Sequence, residues 1–446
     1  MLSGLVVVLG CALGGLALGL LVPAGVLLVE TFAALWPPRF PGWPASTPEP
    51  KSYTKSDTTI AVVVPAHDEE AQIGATVRAL FPVLAAVPGD GAAPRPGPKL
   101  RLIVIADNCT DGTATEARAA GAEAPAAVEV EVIERADRAR RGKGFAIAFG
   151  LRHLDADPPE VVVIIDADCR VAAGERGTLA GLTHLADLAR SSGRPVQAEY
   201  VLEAPPDPSP LAAISALAVL LRNRVRPRGL HRLGLPCHLT GSGMAFPWRV
   251  LREAPETEAN LVEDLVMGLD MALAGAPPLL CPVVQVTSEL PAGRAAASTQ
   301  RRRWEHGQLH TLRTYGPRLL VAGLARRRPE LVALGLDLLV PPLALLVMLQ
   351  AAAAAAAGLA LWLHLLPAGA FGWATAGMAV AGLLGTTLAV GVAWARFGRA
   401  SVPLRFLLFI PFYVAWKIPL YLLLAVRGRQ KTWVRTARGD SAPRAK

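Results

Sequence analysis

The distribution of charge restricts the fold of this 446-residue chain more than any other feature. Residues 5–35 carry one charge, Glu30, and residues 331–426 are again nearly free of charge. Apolar runs of about 20 residues can cross a bilayer as helices. The region between them is charged, alternates polar and apolar residues, and is long enough for one sizeable globular domain. The pattern predicts a membrane-anchored globular protein rather than a multi-span channel.

The first apolar run has no Lys or Arg before it and is longer than the apolar core of a secretory signal. It is therefore predicted to be a retained anchor, with a cleaved signal peptide as the less favoured alternative. Basic residues follow it at Arg39, Lys51 and Lys55. Because basic residues favour the cytoplasmic side, we expect a multi-pass protein of a bacterial-type inner membrane, with its globular domain in the cytoplasm.

The C-terminal apolar region predicts two spans and one segment that does not cross. Residues 342–366 and a stretch ending near Trp394 are each long enough to span. The third stretch, 406–426, contains Lys417 and Pro419 and precedes a strongly basic tail. A full crossing would place that tail outside, against the positive-inside rule. We therefore expect a re-entrant or interfacial helix pair in the third stretch.

These patterns divide the chain into six predicted parts. The parts are an N-terminal transmembrane anchor (1–36), a linker (37–59), a cytosolic globular domain (60–306), an amphipathic interfacial helix (307–330), a transmembrane and re-entrant region (331–426) and a basic cytosolic tail (427–446).

Cysteine usage and net charge exclude some classes of protein. The five cysteines are scattered without a CxxC spacing, which argues against a disulfide framework or a zinc site. The net charge of +9 is compatible with nucleic acid, but the basic residues cluster beside apolar segments with little aromatic interleaving. Attraction to anionic membrane lipids explains them more simply, so no nucleic-acid partner is expected.

Three apolar runs in the globular region end in acidic loops. Residues 60–64 lead to Asp68, residues 102–105 lead to Asp107, and residues 161–165 end directly at the next acidic motif. Helix-compatible sequence follows each run, which predicts an α/β fold with a doubly wound, mostly parallel sheet. Ligands of such folds bind at the carboxyl ends of the strands, where these loops lie.

The acidic motif after the third strand is Asp166-Ala167-Asp168. Carboxylate oxygens suit a hard cation such as Mg²⁺ or Mn²⁺ that neutralises a departing diphosphate. The structural alternative is a pair of turn-forming aspartates at a strand end. Lys143, in an Arg-Gly-Lys-Gly sequence before a helix, is a candidate phosphate ligand, although the sequence is not a P-loop.

A second acidic pair, Glu263-Asp264, lies at an apolar helical start. It is either a partner of the helix dipole or a base that deprotonates an acceptor hydroxyl. Upstream, Gly241 and Ser242 belong to a flexible loop that can approach an acceptor, and their spacing is not that of a serine hydrolase. His67, His238 and His306 have no partner at ligand spacing, so they are interpreted as ordinary hydrogen-bonded histidines rather than metal ligands.

The stretch 300–304, Gln-Arg-Arg-Arg-Trp, precedes the C-terminal apolar region. Guanidinium groups bind diphosphate, and an indole face stacks on a sugar ring, so Gln300, Arg303 and Trp304 are candidates for diphosphate and acceptor binding. The alternative is a basic belt that only marks the cytoplasmic face of the bilayer. That alternative applies above all to Arg301 and Arg302.

These motifs, in this order, resemble those of the inverting, membrane-bound family 2 glycosyltransferases, the group of the cellulose, chitin and hyaluronan synthases. The resemblance extends from Ile60 to Trp304 and rests on several short motifs, each weak alone. They are Val-Pro-Ala-His-Asp-Glu-Glu (64–70), Asp-Asn-Cys-Thr-Asp-Gly-Thr (107–113), Gly-Lys-Gly (142–144), Asp-Ala-Asp (166–168), Glu-Asp (263–264) and Gln-Arg-Arg-Arg-Trp (300–304).

The resemblance implies a GT-A fold and a role for each motif. Asp264 would be the general base beside Glu263, and Asp168 with Asp166 would hold Mg²⁺ or Mn²⁺. The diphosphate and the acceptor sugar would bind Gln300, Arg303 and Trp304, near Gly241 and Ser242. The donor nucleotide, with a UDP-sugar favoured, would contact Pro65, Asp68, Glu69, Asp107, Lys143 and Asp166.

The chain departs from the family pattern at several positions. Asp68 stands where Asn is usual, Cys109 where Ser is usual, and Val262 replaces a Thr. These changes weaken the donor assignment more than the chemistry. Residues 431–438, which include Trp433, resemble the gating segment of hyaluronan-type synthases with altered spacing. A basic interfacial tail is the equal alternative.

The sequence thus predicts a hexosyl- or N-acetylhexosaminyltransferase that moves a sugar, with inversion, to a polysaccharide or lipid-linked acceptor. Single-sugar transfer to a membrane lipid is the first alternative, because few spans are predicted for a translocation channel. A nucleotidyltransferase is the alternative from a different class, since it can share the fold and the metal carboxylates. An inactive scaffold is the third, and the intact carboxylates argue against it.

Overall fold

A computed structural model of the chain describes residues 2–36, 58–85, 99–173, 181–204, 208–254, 263–290, 294–366 and 369–427. Residues 37–57 of the predicted linker and the tail beyond residue 427, with the predicted gating segment around Trp433, lie outside these ranges.

The described part of the globular region contains one mixed sheet of eight strands. The strands are β1 (Thr59–Ala66), β2 (Lys99–Asp107), β3 (Val128–Arg135), β4 (Val161–Ile164), β5 (Arg170–Ala173), β6 (Val196–Glu203), β7 (Met244–Pro247) and β8 (Leu279–Glu289). Their order across the sheet is β3-β2-β1-β4-β7-β6-β8-β5. The half from β3 to β4 is parallel, β7 runs antiparallel to both of its neighbours, and β6 pairs parallel with β8. The predicted α/β class is confirmed.

Helices cover the sheet and form the membrane region. They are α1 (Leu2–Ala33), α2 (Glu70–Ala85), α3 (Thr113–Gly121), α4 (Lys143–Leu154), α5 (Leu182–Ser192), α6 (Pro210–Leu220), α7 (Arg226–Arg232), α8 (Trp248–Arg252), α9 (Glu263–Ala274), α10 (Arg294–Ala325), α11 (Pro329–Leu338), α12 (Leu343–Trp362), α13 (Ala370–Ala393), α14 (Leu404–Leu407) and α15 (Ile410–Arg427). Two π-helical turns, Leu221–Val225 and Trp394–Gly398, follow α6 and α13.

The parallel strands are apolar on both faces because helices pack on both sides of the sheet. Val62 and Val64 of β1 contact the core under α2 and α5, whereas Val63 contacts the core under α4. All three side chains are fully buried. At Gly150 in α4, an added Cβ would lie 2.4 Å from the Ile105 side chain, so this helix sits directly on the strands. The continuous apolar runs of the sequence therefore reflect two-sided burial.

Three of the described helices are long and apolar enough to cross a membrane: Val7–Ala33, Leu343–Trp362 and Ala370–Gly398. The first belongs to α1, which packs against α12 and α13. These helices fit membrane association, including an N-terminal anchor. The third apolar stretch forms the short α14 and the longer α15, and its failure to cross stays a prediction.

A buried ionic network joins the membrane helix α1 to the globular part. Arg226 of α7 contacts the carboxylates of Glu30 in α1, at 3.0 Å, and of Asp337 in α11. His238 Nε2 lies 2.8 Å from the second carboxylate oxygen of Asp337. Burial alone would raise the pKa of Asp337, but Arg226 and His238 hold that pKa well below its ordinary value. The helices meet closely here, since a Cβ at Gly229 would lie 2.0 Å from the Glu30 carbonyl oxygen.

Replacement of Arg226 by Met should destabilise the protein strongly, because it leaves Glu30 and Asp337 buried without their shared cation. Breaking a buried ion pair from one side costs about 3–5 kcal/mol, so the thermal unfolding midpoint in detergent should fall by roughly 5 °C or more. Arg249→Met is the matched control, because Arg249 forms an exposed pair with Glu253. Equal midpoints for the two variants would contradict a structural role for the network.

Candidate active site

The loops after β1 and β2 meet at the carboxyl edge of the sheet and fix each other. Asp68 and Asn108 have φ values of 52° and 53°, in the left-handed region that Asp and Asn tolerate better than most residues. The Asp68 carboxylate accepts a hydrogen bond of 2.6 Å from the Thr110 amide, and the Glu69 amide donates to the Thr113 hydroxyl at 2.8 Å. Asp68 and Glu69, two predicted donor-binding residues, thus lie in a loop that is hydrogen-bonded to the loop after β2.

Asp107 is placed differently from Asp68, because its carboxylate is buried and already paired. Arg135 at the end of β3 contacts Asp107 Oδ1 at 2.5 Å, and the Asn108 side chain donates to the same oxygen at 3.0 Å. Asp107 is 5% exposed. Its carboxylate therefore shapes the loop, and its predicted contact with a nucleotide stays a prediction. Pro65 lies inside β1, opposite Ile105 of β2.

Four predicted residues from separate segments meet beside this edge. Lys143, the first residue of α4, places its ammonium 2.5 Å from Asp166 Oδ1 and donates to the Gly241 carbonyl oxygen at 2.5 Å. Gly241 has a φ of 99°, and a Cβ at this position would lie 3.1 Å from Asp264 Oδ2. The backbone angle thus favours glycine, and any side chain here would also press on the Asp264 carboxylate. A predicted metal ligand, a predicted phosphate ligand, the loop around Gly241 and the predicted base therefore share one site.

The loop that contains Gly241 and Ser242, which we call the acceptor loop, is held by Gln197 of β6. This residue was missed in the sequence analysis. Gln197 is 1% exposed. Its side-chain amide donates to the Ser242 carbonyl at 2.8 Å and accepts from the Thr240 amide at 2.9 Å. The Ser242 hydroxyl in turn accepts from the Asp166 amide at 3.0 Å. A glutamine near the start of a mostly apolar strand was the available signal, since a buried amide needs partners.

Asp166 and Asp168 can offer ligand atoms to one ion, together with Cys169, because these atoms lie within 4.8 Å of one another. Asp168 Oδ2 accepts a hydrogen bond of 2.7 Å from Ser288 of β8, which orients that carboxylate. Burial raises the pKa of the Cys169 thiol well above its ordinary value. The two carboxylates fit a hard cation held through oxygen.

The Arg-Trp cluster lies on α10, where Arg303 and Trp304 are described. The Arg303 Nε atom is buried and has no hydrogen-bond partner among the described residues. Trp304 packs against the main core and lines a cavity toward the membrane helices. Gln300 lies in the same helix, and Glu263 is the first residue of α9, but the side chains of both fall outside the described part of the chain.

Arg222 is a further residue of the site that the sequence analysis missed. It lies in the π-helical turn Leu221–Val225, a conformation that often marks functional sites. Burial lowers the pKa of its guanidinium, and the nearby carboxylates of Asp264, Asp337 and Glu305 oppose that shift. The available signal was the alternation of Arg at 222, 224, 226 and 228 in apolar surroundings.

Comparison with solved structures identifies the fold. The mannosyltransferase PcManGT of Pyrobaculum calidifontis, solved with GDP-Man and Mn²⁺, is 20% identical, with a TM-score of 0.50 over 96% of this chain and 100% of that one. Glucosyl-3-phosphoglycerate synthase of Mycobacterium tuberculosis, solved with Mn²⁺, UDP-glucose and phosphoglyceric acid, is 20% identical, with a TM-score of 0.36 over 60% and 83%. The similarity to the first confirms the expected GT-A fold.

No curated protein matches the chain. The sequence profile described as "Glycosyltransferase like family 2" matches residues 57–307, which is more than half of the chain. The match runs from just before β1 into α10 and includes the acidic loops, the Asp pair, Asp264 and the Arg-Trp cluster. The chain therefore belongs to glycosyltransferase-like family 2 and is a glycosyltransferase.

Proposed function

We propose that this enzyme transfers a sugar, with inversion, from a nucleoside-diphosphate sugar to a hydroxyl group of a polysaccharide or lipid-linked acceptor. The reaction would serve the synthesis of an extracellular polysaccharide or a glycolipid. The observation that carries the proposal is the meeting of Lys143, Asp166, Gly241 and Asp264 at one edge of the sheet. Groups suited to a diphosphate lie there beside a carboxylate suited to an acceptor hydroxyl.

Asp264 takes the part of the general base. The acceptor oxygen attacks the anomeric carbon as the bond from that carbon to the diphosphate breaks, and the hydroxyl proton passes to the Asp264 carboxylate. The nucleoside diphosphate leaves with the electrons of the broken bond. Asp264 is partly exposed and lies next to Gly241, which has no side chain, so an acceptor can approach it.

Asp166 and Asp168 would hold Mg²⁺ or Mn²⁺. A divalent cation bound there supplies positive charge that stabilises the leaving diphosphate. Lys143 forms an ion pair with Asp166 and is proposed to bind the donor phosphates as well. Ser288 keeps the Asp168 carboxylate in one orientation. The Mn²⁺ in PcManGT supports a cation in this fold.

The donor is proposed to be a UDP-sugar, on the family resemblance alone. GDP-mannose is the competing donor, because PcManGT was solved with it. Asp68 and Glu69, at the fixed edge after β1, are proposed to contact the nucleotide. Gln300, Arg303 and Trp304 are proposed to bind diphosphate and acceptor. The nucleotidyltransferase alternative receives no support from the comparisons.

Single transfer to a membrane lipid is the second candidate. A specific observation favours it, since an apolar cavity beside Trp304 and Arg222 extends between the membrane helices.

Replacement of Asp264 by Asn should lower kcat by about 10²–10⁴-fold, because the amide cannot accept the hydroxyl proton. Release of nucleoside diphosphate in purified membranes measures the rate. Asp270→Asn, on the same helix α9, is the matched control, because an amide oxygen can still accept the hydrogen bond from Tyr315 that Asp270 accepts at 2.9 Å. Full activity of Asp264→Asn would contradict the assignment of Asp264 as the base. The same activity would also exclude an inactive scaffold.

Chelation with EDTA should abolish transfer, and Mg²⁺ or Mn²⁺ should restore it. Ser288→Ala should raise the Mn²⁺ concentration for half-maximal activity by about 10–100-fold, because it removes the hydrogen bond that orients Asp168. Cys169→Ala should leave that concentration unchanged, since the thiol is not expected to bind the ion. Activity that resists EDTA would exclude the metal proposal.

A further inference from the structure

A cavity of about 140 Å³ lies between the active site and the membrane helices. Its walls come from α6 and the following π-helical turn, from α10, from the beginning of α12, and from α15. It begins beside Trp304, next to the cluster proposed to bind the acceptor, and continues toward the two candidate spans α12 and α13. The cavity therefore lies between Trp304, which is proposed to bind the acceptor, and the region that fits a bilayer.

The walls away from the active site are apolar. The lining includes Ile214 and Leu217 of α6, Val347 of α12 and Val414 of α15. A glycan chain would lose the hydration of its hydroxyl groups against these side chains without gaining hydrogen bonds. A hydrocarbon chain gains from the same contact, because apolar surface leaves water.

The volume of the cavity limits how much of a lipid it can hold. A protein cavity of about 150 Å³ holds one benzene-sized group. The cavity thus admits a segment of one hydrocarbon chain rather than the two chains of a whole phospholipid. Ala344 of α12, which is 8% exposed, forms part of the wall.

The polar end of the cavity contains cations that already face carboxylates. Lys417 of α15 forms an ion pair with Glu305 of α10, and Arg226 contacts Glu30 and Asp337. Arg222 lies near Asp264, Glu305 and Asp337. Among the described residues, each of these cations thus already has a carboxylate nearby. The polar end of the cavity therefore does not select an anionic lipid headgroup. A neutral hydroxyl fits better, and it also carries the proton that a base at Asp264 would remove.

We propose that this cavity binds the hydrocarbon chain of a single-chain lipid alcohol, which is the acceptor of the sugar. The lipid enters from the membrane side, its chain lies between α6, α12 and α15, and its hydroxyl group lies beside Arg222, facing Asp264. This inference rests on the proposed glycosyl transfer for the role of the lipid, but not for its binding.

Binding is tested with hexadecanol that carries a diazirine, added to the full chain in nanodiscs. Irradiation should attach the probe to the α15 peptide that contains Tyr413 and Lys417. Ala344→Phe or Ala218→Phe should lower this labelling about tenfold by filling the cavity. Ala355→Phe is the matched control, because Ala355 lies on the exposed face of α12. Equal labelling in the filled and control variants would overturn the proposal. The two filling variants lie on different helices, so the test can still be made if one of them fails to fold.

Transfer is tested in parallel by release of nucleoside diphosphate with hexadecanol, with hexadecyl phosphate and with a soluble oligosaccharide. We expect hexadecanol to stimulate release and Ala344→Phe to raise its KM about tenfold, with the donor KM unchanged. A preference for hexadecyl phosphate or for the oligosaccharide would overturn the lipid-alcohol assignment. Labelling that depends on the cavity, together with no release from any donor, would instead refute the proposed glycosyl transfer.

Discussion

The contact of Arg226 with Glu30 and Asp337 is the interaction on which the arrangement of this enzyme depends. Its three charges belong to α7, to the membrane helix α1 and to α11. One buried cation therefore joins the membrane helix α1 to the globular part of the molecule. Removing charges from water is costly, and only mutual pairing makes their burial tolerable. Arg228 of the same helix contacts Glu199 of β6, which ties α7 to the sheet as well. The active site is therefore held at a fixed position relative to the membrane helices.

The site is built where the two halves of the sheet meet. The parallel half brings the loops after β1, β2 and β4 to one edge, and the antiparallel β7 adds the loop around Gly241 from the opposite direction. Gln197 and Ser288, from the second half, then fix that loop and the Asp168 carboxylate. Donor and metal groups come mostly from the first half, whereas the residues that orient them come from the second.

Helix α10 connects chemistry with the membrane. It carries Arg303 and Trp304 near the site and Glu305 in an ion pair with Lys417 of α15, and the Gln308 side chain donates to the Val340 carbonyl before α12. The predicted boundary between the globular domain and an interfacial helix, at residues 306 and 307, falls inside this one helix. The apolar cavity lies beside the same helix, because Trp304, Glu305 and Gln308 of α10 line it. An acceptor that is itself part of the membrane is consistent with such a layout.

The sequence by itself determined the α/β class, the apolar helices, and the order of acidic motifs at strand ends, because these depend on local periodicity and on residue type. It also placed Lys143, Asp166 and Asp264 in one predicted site. Only the tertiary structure decided that Asp107 is paired with Arg135, that Gln197 supports the acceptor loop, and that the alternating arginines at 222–228 lie among carboxylates. These features depend on pairing between residues up to 196 positions apart, as for Arg226 and Glu30. No local pattern records such a pairing, because the partner is chosen by packing.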